Sequence, residues 1–450
     1  MPLSSSVLPE PLIKNSSTRL IHSLCANAEL MQWRSASRIR KEQLRRVQRL
    51  LQYAQHYSPY YGAQFAGLDF SNLDWQQFTD LPTLSRETIR QQGSGLDCQP
   101  APASHGVVSE TMTSGSTGSP VKVRVTQRVA AVWFANALRD HLWHNRDPAA
   151  RMAAIRWHAD NLGMAPDGLE SQDWGEPHSL FYKTGKGYFL NSASTVPDQL
   201  QWLHGCKPDY LITHPSNLQS LLQELVRSGD ELPFLKQVRT VGESVSPDLR
   251  VLARAVLGLE LIDFYSSQEV GYVALQSPGA AHYHILSDSV VMEVVDDAGI
   301  PSPPGQVGRV LLTSLHNYAT PLIRYDIGDR AILGEPVVGG RGLPVLKQIL
   351  GRSRNMVSLP DGSRKWPNLG FRAMMKVADI QQFQVVQHTY DQLELKLVIS
   401  EPLPIEKEQQ LENILRQYLE FPFRVEITYH AQIPRSTSGK YEDFLNLVEA

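Results

Sequence analysis

The sequence predicts an α/β protein with a large N-terminal α/β domain followed by a small C-terminal α+β domain. Three observations predict it. Between residues 107 and 310, short apolar runs alternate with longer amphipathic stretches, the pattern of strands separated by helices and of a largely parallel sheet. Beyond residue 351 the pattern changes to two alternating segments, an amphipathic helix and one more alternating segment. The chain has 450 residues, 42% hydrophobic and 20% charged. That length suits two or three domains at about 150 residues each, and the composition is that of an ordinary globular protein.

The elements follow in order. Residues 1–17 are rich in Ser and Pro and lack a cationic start followed by an apolar run. They are no signal peptide and are expected to stay disordered until they pack on something. Residues 38–57 read as a helix, with Ile39, Leu44, Val47, Leu50, Leu51 and Ala54 at helical spacing. Its other face carries Arg38, Arg40, Lys41, Arg45, Arg46 and Arg49. Such a face is ordinarily solvated; the sharper reading is a landing site for an acidic partner or a carrier's phosphates. Ser58-Pro59 ends the helix, and Ser85 is placed to cap the next. Segments 107–112, 153–157, 210–213, 237–242 and 261–265 read as strands, and 129–142, 216–228 and 247–257 as helices. A Pro/Gly turn at 299–308 leads into a strand at 309–314. In the last hundred residues, 381–388 and 393–400 read as strands, 404–421 as a helix carrying Leu411, Ile414, Leu415 and Leu419, and 423–429 as a strand. The boundary falls near Gly351-Arg352. The expected organisation is a leader at 1–17, a large domain at 18–351 and a small domain at 352–450.

Bulk properties exclude several classes. The formal net charge is −3, so no global field favours nucleic acid or an anionic membrane. No stretch approaches ~18 consecutive apolar residues, so no membrane span is expected. Cys25, Cys98 and Cys206 lie far apart and form no CxxC pair, which argues against a zinc site or disulfide framework and fits a reducing cytoplasm. A monomer or homodimer is expected.

Two motifs carry the chemistry. Thr113-Ser114-Gly115-Ser116-Thr117-Gly118 follows a predicted strand. Glycines let successive N–H groups approach a polyphosphate, and hydroxyls add donors without bulk. The Walker pattern is absent, because no Gly-Lys-Ser/Thr closes the loop. On composition alone the lesser alternative is a polar surface turn. Near the C-terminus, Ile433-Pro434-Arg435-Ser436-Thr437-Ser438-Gly439-Lys440 presents one lysine from a Ser/Gly-rich turn. A lone lysine there is by default a solvated charge.

Together these segments resemble the adenylate-forming superfamily, which includes acyl-CoA synthetases, luciferases and peptide-synthetase adenylation domains. Within it the chain most resembles the phenylacetate–CoA ligase branch. The resemblance spans nearly the whole length and includes Ser58-Pro59-Tyr60-Tyr61 and Leu81-Pro82-Thr83. It implies the remaining assignments. Gly242, Glu243 and Ser244 resemble the turn that packs against adenine. Tyr265-Ser266-Ser267-Gln268-Glu269 resembles the Tyr-Gly-x-Thr-Glu segment, with Tyr265 near adenine and Glu269 holding Mg²⁺, a cation that takes carboxylate and phosphate oxygens. Ser266 departs from the usual glycine, and Gln268 from the usual hydroxyl residue. In the segment 321–329, Asp329 is expected on the ribose hydroxyls; Asp326 is its rival, with Arg324 as an alternative partner. Arg352 is expected on ribose or phosphate, and Arg354 stands at the hinge, where Asp or Lys is usual. Lys440 is the mobile ammonium that offsets repulsion between a carboxylate and the α-phosphate. His158 is a candidate beside the acyl carboxylate, and His214 a weaker one for the acyl pocket. His282 and His284 read as structural.

The resemblance implies an enzyme that joins a small carboxylic acid to ATP, releases pyrophosphate, and passes the acyl group to a thiol. Coenzyme A is the first acceptor and a carrier-protein phosphopantetheine the second; an aryl or arylacetic acid is the default substrate. It also implies that the C-terminal domain rotates between half-reactions. The alternatives are an amide synthetase with an amine acceptor, a catalytically degenerate nucleotide-binding protein, and a phosphoryl-transfer enzyme releasing ADP.

Overall fold

A computed structural model describes residues 10–112, 121–158, 160–352, 355–434 and 441–448. The chain forms two compact units. The first comprises Met1–Met152, Glu170–Tyr188 and Ile262–Ile349; the second comprises Ala153–Leu169, Phe189–Leu261 and Leu350–Ala450.

The first unit is built on the helix Ala36–Tyr57. Val47, Leu50, Leu51 and Ala54 are buried in one cluster with Val273, Val291, Leu312 and Tyr325. Leu44 is only half-buried, and Gln43 is buried instead. Its amide donates to the carbonyls of Val290 (2.8 Å) and Ser287 (3.3 Å), which satisfies a polar group in the core. Part of the basic face is also used within the fold. Arg46 donates to the Asp288 carbonyl at 2.7 Å, and Arg40 lies 4.0 Å over the Trp75 ring. Ser58 closes this helix and caps the next, Pro59–Gln64, with Pro59 at its first turn. Ser85 caps Arg86–Gln92 by accepting from the Thr88 N–H.

The first unit also carries most of a seven-stranded sheet. Its order is Val290–Val295, Val307–Ser314, Tyr325–Leu333, Val345–Arg352, Tyr283–Ile285, Gly271–Gln276 and Phe264–Ser267. Its recorded pairings run antiparallel, against the expectation of a largely parallel sheet. The connections explain the difference: several successive strands here are joined by short turns, and parallel neighbours need a crossover of a dozen or more residues. The segment 261–265 is also not one strand. Leu261–Ile262 edges a second sheet and Phe264–Ser267 edges this one. Buried Asp263 stands at the break, its N–H donating to Gln276 Oε1 and its carboxylate accepting from the Tyr283 hydroxyl at 2.6 Å.

His284 and His316 are buried in this unit, and burial pushes both imidazoles down to about 4, with Arg341 and Arg46 adding to it respectively. The unfolded chain takes up these protons near pH 6.5. Between about pH 6.5 and 4 the unfolded state therefore holds more protons, and stability falls as pH is lowered through that window. The expected loss is on the order of 2–3 kcal/mol per histidine. Urea midpoints measured from pH 7 to 4.5 check it: His316→Asn, which retains a donor for the Asp288 carbonyl, is expected to show a shallower slope. An unchanged slope refutes the assignment.

The second unit carries most of a six-stranded sheet ordered Leu169–Ser171, Gly187–Asn191, Met152–Arg156, Tyr210–Thr213, Gln237–Thr240 and Leu261–Ile262. Here Tyr210–Thr213 and Gln237–Thr240 do pair in parallel, joined through the helix Pro215–Ser228. That helix buries Leu218, Leu221, Leu222 and Leu225. The same unit ends in a four-stranded sheet ordered Arg424–Tyr429, Gln392–Val398, Gln382–Gln387 and Phe444–Asn446. The helix Ile405–Leu419 closes it with Leu411, Leu415 and Leu419, and residues 357–444 share a core of their own. Among the described residues no helix is long and apolar enough to cross a membrane.

Candidate active site

In the first unit, three of the segments singled out in the sequence converge on 321–329. The Tyr61 hydroxyl donates to the Pro321 carbonyl at 2.9 Å. Leu84 forms a parallel bridge with Tyr325, through Leu84 N to Arg324 O (3.0 Å) and Asp326 N to Leu84 O (2.9 Å). The strand Tyr325–Leu333 then bulges. Arg309 faces Arg330 and Leu311 faces Asp326, so the one residue between them lies opposite three, 327–329, on the other strand. Bulges re-aim side chains. Gly328 lies inside this one at φ +82°, a value that favours glycine, and its N–H donates to Asp326 Oδ1 at 3.0 Å. Beyond it, Asp329 Oδ2 accepts from the Tyr265 hydroxyl at 2.6 Å. Two predicted nucleotide residues 64 positions apart are thereby in direct contact.

Tyr265 belongs to a hairpin. Phe264–Ser267 pairs antiparallel with Gly271–Gln276, Ser266 facing Tyr272. Ser267 Oγ accepts from the Val270 N–H at 3.1 Å and tightens the turn, which places Gln268 exposed and Glu269 only 5% exposed. No described hydrogen bond or ion pair involves Glu269. A buried carboxylate at a turn, available to one hard cation, suits Mg²⁺, which binds through one or two carboxylates plus substrate phosphates.

In the second unit, the turn 242–244 follows the strand Gln237–Thr240. Glu243 reaches the first turn of the helix Pro215–Ser228. Oε2 accepts from Ser216 N at 2.9 Å and Oε1 from Ser216 Oγ at 3.1 Å, a negative charge at a positive helix end. Oε1 also accepts from Tyr441 N at 2.9 Å. His214, the residue before this helix, bonds the Val241 carbonyl through Nδ1 at 2.8 Å, which requires the proton on Nδ1. His158 lies in the loop after Met152–Arg156, its side chain 42% exposed and its Nδ1 accepting from Asp160 N. Arg352 ends the strand Val345–Arg352.

Residues 368–446 match the family described as the CapK C-terminal domain. The chain is 26% identical to a phenylacetate–coenzyme A ligase of Thermus thermophilus, over 91% of this chain and 97% of that protein. It is 25% identical to one from Pseudomonas putida, over 80% of each. A 2-hydroxyisobutyryl-CoA ligase solved in the postadenylation state with R3-HIB-AMP shares the fold at TM-score 0.71 and 20% identity, over 93% of this chain and 91% of that one. Along nearly its whole length the chain is thus similar to phenylacetate–coenzyme A ligases, and its fold is that of an adenylate-forming ligase.

Several positions of this chain differ from what its sequence led us to expect. Arg324, the alternative partner for Asp326, instead pairs with Glu293 at 3.0 Å, while Asp326 takes Arg309 at 2.6 Å. The bulge and the left-handed backbone of Arg324 (φ +48°) separate the two neighbours. The loop residues Thr113, Ser114, Gly115, Ser116, Thr117 and Gly118 lie outside the described residues, as do Arg354 and Lys440. The loop's flanks are described: Val108–Met112 and Lys122–Thr126 form an antiparallel pair with Met112 opposite Lys122. The strand before the loop is thus a largely exposed hairpin arm rather than a core strand.

Sequence reasoning also missed Asn191, which is fully buried. Its amide donates to the carbonyls of His158 (2.9 Å) and Leu162 (3.2 Å) and accepts from the N–H groups of His158 (3.4 Å) and Ala193 (3.0 Å). It holds the loop that presents His158. Its only trace in the sequence is an Asn at the end of a strand, followed by Ser-Ala-Ser. Asn191→Ala is expected to lower stability by about 2–3 kcal/mol, because it strands buried backbone groups. Urea unfolding measures this; a loss under 1 kcal/mol would mean that water replaces the amide.

Proposed function

We propose that this chain is an AMP-forming acid–thiol ligase. A carboxylate oxygen attacks the α-phosphorus of ATP, the bond to the β-phosphate breaks, and pyrophosphate leaves. The thiol of coenzyme A then attacks the acyl carbon and AMP leaves, which yields a thioester. The observation that carries this reading is similarity along almost the full length of both chains to a phenylacetate–coenzyme A ligase.

The residues divide the work as follows. The loop from Thr113 to Gly118 takes the phosphates. Tyr265 and the turn Gly242, Glu243 and Ser244 border the adenine. Asp329, oriented by the Tyr265 hydroxyl, accepts hydrogen bonds from ribose, and Arg352 assists there. Ser266, Ser267 and Gln268 shape the hairpin that presents Glu269. Glu269 would hold Mg²⁺, whose charge neutralises the phosphates when bound. His158 borders the acyl carboxylate, and Lys440 balances the charge that develops when two anions meet. Residues 352–450 would move about Arg354 between the two half-reactions, relative to 18–351. The three buried free cysteines suit a reducing cytoplasm.

The test is ATP–pyrophosphate exchange with arylacetic, aryl and short 2-hydroxy acids, followed by addition of coenzyme A. Acid-dependent exchange, AMP as the nucleotide product and a CoA thioester are expected. Tight ATP binding without exchange for any acid would leave a nucleotide-binding protein. ADP as the product would indicate phosphoryl transfer. Exchange without a CoA thioester turns the acceptor toward carrier phosphopantetheine or an amine.

A further inference from the structure

In the first unit, the helix Gln127–Trp143 starts without its ordinary cap. Thr126 holds the N-cap position, but its side chain makes no capping hydrogen bond. The residue is 1% exposed, and its hydroxyl has no hydrogen-bond partner among the described residues. The Val107 carbonyl takes the Gln127 N–H at 2.8 Å. No hydrogen bond is described for the N–H groups of Arg128 and Val129, which a cap would ordinarily satisfy. A helix of 17 residues thus presents open donors at its positive end.

Cations gather at this end, where anions are favoured. Arg128, in the first turn, is half-buried, and burial together with the charge of Arg46 pushes its guanidinium below the ordinary arginine range. Arg46 and Arg49 come from the basic face of the helix Ala36–Tyr57. The half-buried Tyr318 lies within electrostatic range of all three. Burial pushes its phenol up, while Arg49, Arg128 and Arg46 oppose that shift. Tyr53 and His105 hold its ring edge-on, with centroids 5.2 and 5.0 Å away. Glu42, 3.6 Å from Arg46, is a partial counter-charge. Arg49 and Arg128 make no ion pair among the described residues.

Charge and shape select the ligand. Guanidinium forks match the oxygens of a phosphate, and open N–H groups at a helix start bind the same group. The phenol adds one more donor. A single carboxylate would leave most of the positive charge unbalanced, whereas a phosphoryl dianion offsets it. The ATP loop lies elsewhere. Residues 113–118 follow Met112, which faces Lys122 at one end of the hairpin. Thr126 faces Val108 at the other end, four residues and about 13 Å along the strand.

We propose that the start of Gln127–Trp143, with Arg46, Arg49, Arg128 and Tyr318, binds a phosphoryl dianion that is not part of ATP. Two sources carry that group: the 3′-phosphate of coenzyme A and a free phosphate ester. The site stands apart from the ligase reading above; only the first source rests on it.

The test uses the full chain. Inorganic phosphate is titrated against thermal unfolding at an ionic strength held with sodium chloride, with ATP saturating and no acid present. Phosphate is expected to raise the midpoint where chloride does not, because a ligand of the folded state stabilises it. Arg128→Gln is expected to weaken phosphate roughly ten- to hundred-fold, the range of a hydrogen bond to a charged group. Tyr318→Phe removes one donor and no charge, and is expected to weaken it about tenfold. Arg38→Gln, exposed on the same basic helix, is expected to stay within about twofold. If Arg128→Gln does not fold, Tyr318→Phe decides. A midpoint that phosphate raises no more than chloride does, or equal weakening by Arg38→Gln and the site variants, would overturn the site. Thioester formation with coenzyme A and with dephospho-coenzyme A separates the sources. A KM about tenfold higher for dephospho-coenzyme A, with the difference lost in Arg128→Gln, assigns the site to the acceptor. Equal KM values, or a preference that survives Arg128→Gln, assign it to a free phosphate ester. If no acid yields a thioester, the ligase reading fails and the phosphate titration still decides the site.

Discussion

Lys440→Ala is expected to reduce ATP–pyrophosphate exchange by roughly 10²–10³-fold, the usual consequence of removing one donor aimed at developing charge. Attack of a carboxylate on the α-phosphate brings two anions together, and in the role proposed for Lys440 its ammonium would offset a repulsion that is largest in the transition state. An interaction made there and not in the ground state appears in kcat rather than KM. The expected signature is a fall in kcat with KM for ATP changed little. The same variant is expected to form thioester from chemically supplied acyl-adenylate, because that step begins after the phosphate chemistry is complete. Exchange at the parent rate would remove Lys440 from the mechanism.

Arg324 is expected to have the largest effect on stability. It is 4% exposed and donates to both oxygens of Glu293 at 3.0–3.2 Å and to the Leu81 carbonyl. Burial pushes the Glu293 carboxyl above its ordinary range, while Arg324 and Arg40 oppose that shift. Arg324→Met leaves this carboxyl buried without its guanidinium partner, at a cost of about 3–5 kcal/mol. It also releases the Leu81 tie, so the site is expected to loosen where Leu84 bridges Tyr325. Adding Glu293→Gln to Arg324→Met is expected to recover part of the loss, because the stranded charge is removed. Urea unfolding of the two singles and the double measures the coupling. A double variant no more stable than Arg324→Met would show that the Leu81 contact, rather than the ion pair, carries the stability.

Local patterns were legible wherever one short segment carries its own signal. The helix Pro247–Leu257 and the strand Tyr210–Thr213 were read at their observed bounds, because helical spacing and a short apolar run flanked by turn residues need no distant partner. The cap at Ser85 was legible for the same reason. The break at Asp263 was not: one Asp within the otherwise strand-forming run Leu261 to Tyr265 does not mark a boundary by itself, and the partners that divide it, Gln276 and Tyr283, lie outside the run. Gln43 stands on the apolar side of the helical wheel, one turn from Ile39 and from Val47, but an amide there is buried without penalty only because the Val290 and Ser287 carbonyls accept from it.

The candidate site divides in the same way. By itself the sequence determined which residue types are present and in what spacing: a hydroxyl-rich loop, an acidic residue after a short aromatic-led strand, an aspartate after a glycine, and a lysine in a Ser/Gly-rich motif. Those carry the resemblance to the superfamily and the proposed reaction class. The tertiary structure alone decided which of these side chains touch. It brought the Tyr265 hydroxyl onto Asp329 through a bulge, gave Arg324 to Glu293 rather than to Asp326, and set the Glu243 carboxylate between a helix start and Tyr441 N. The physical reason is that hydrogen bonds and ion pairs depend on distances of about 3 Å. Partners separated by tens to hundreds of residues acquire those distances only when sheets and helices pack, and no spacing along the chain encodes them.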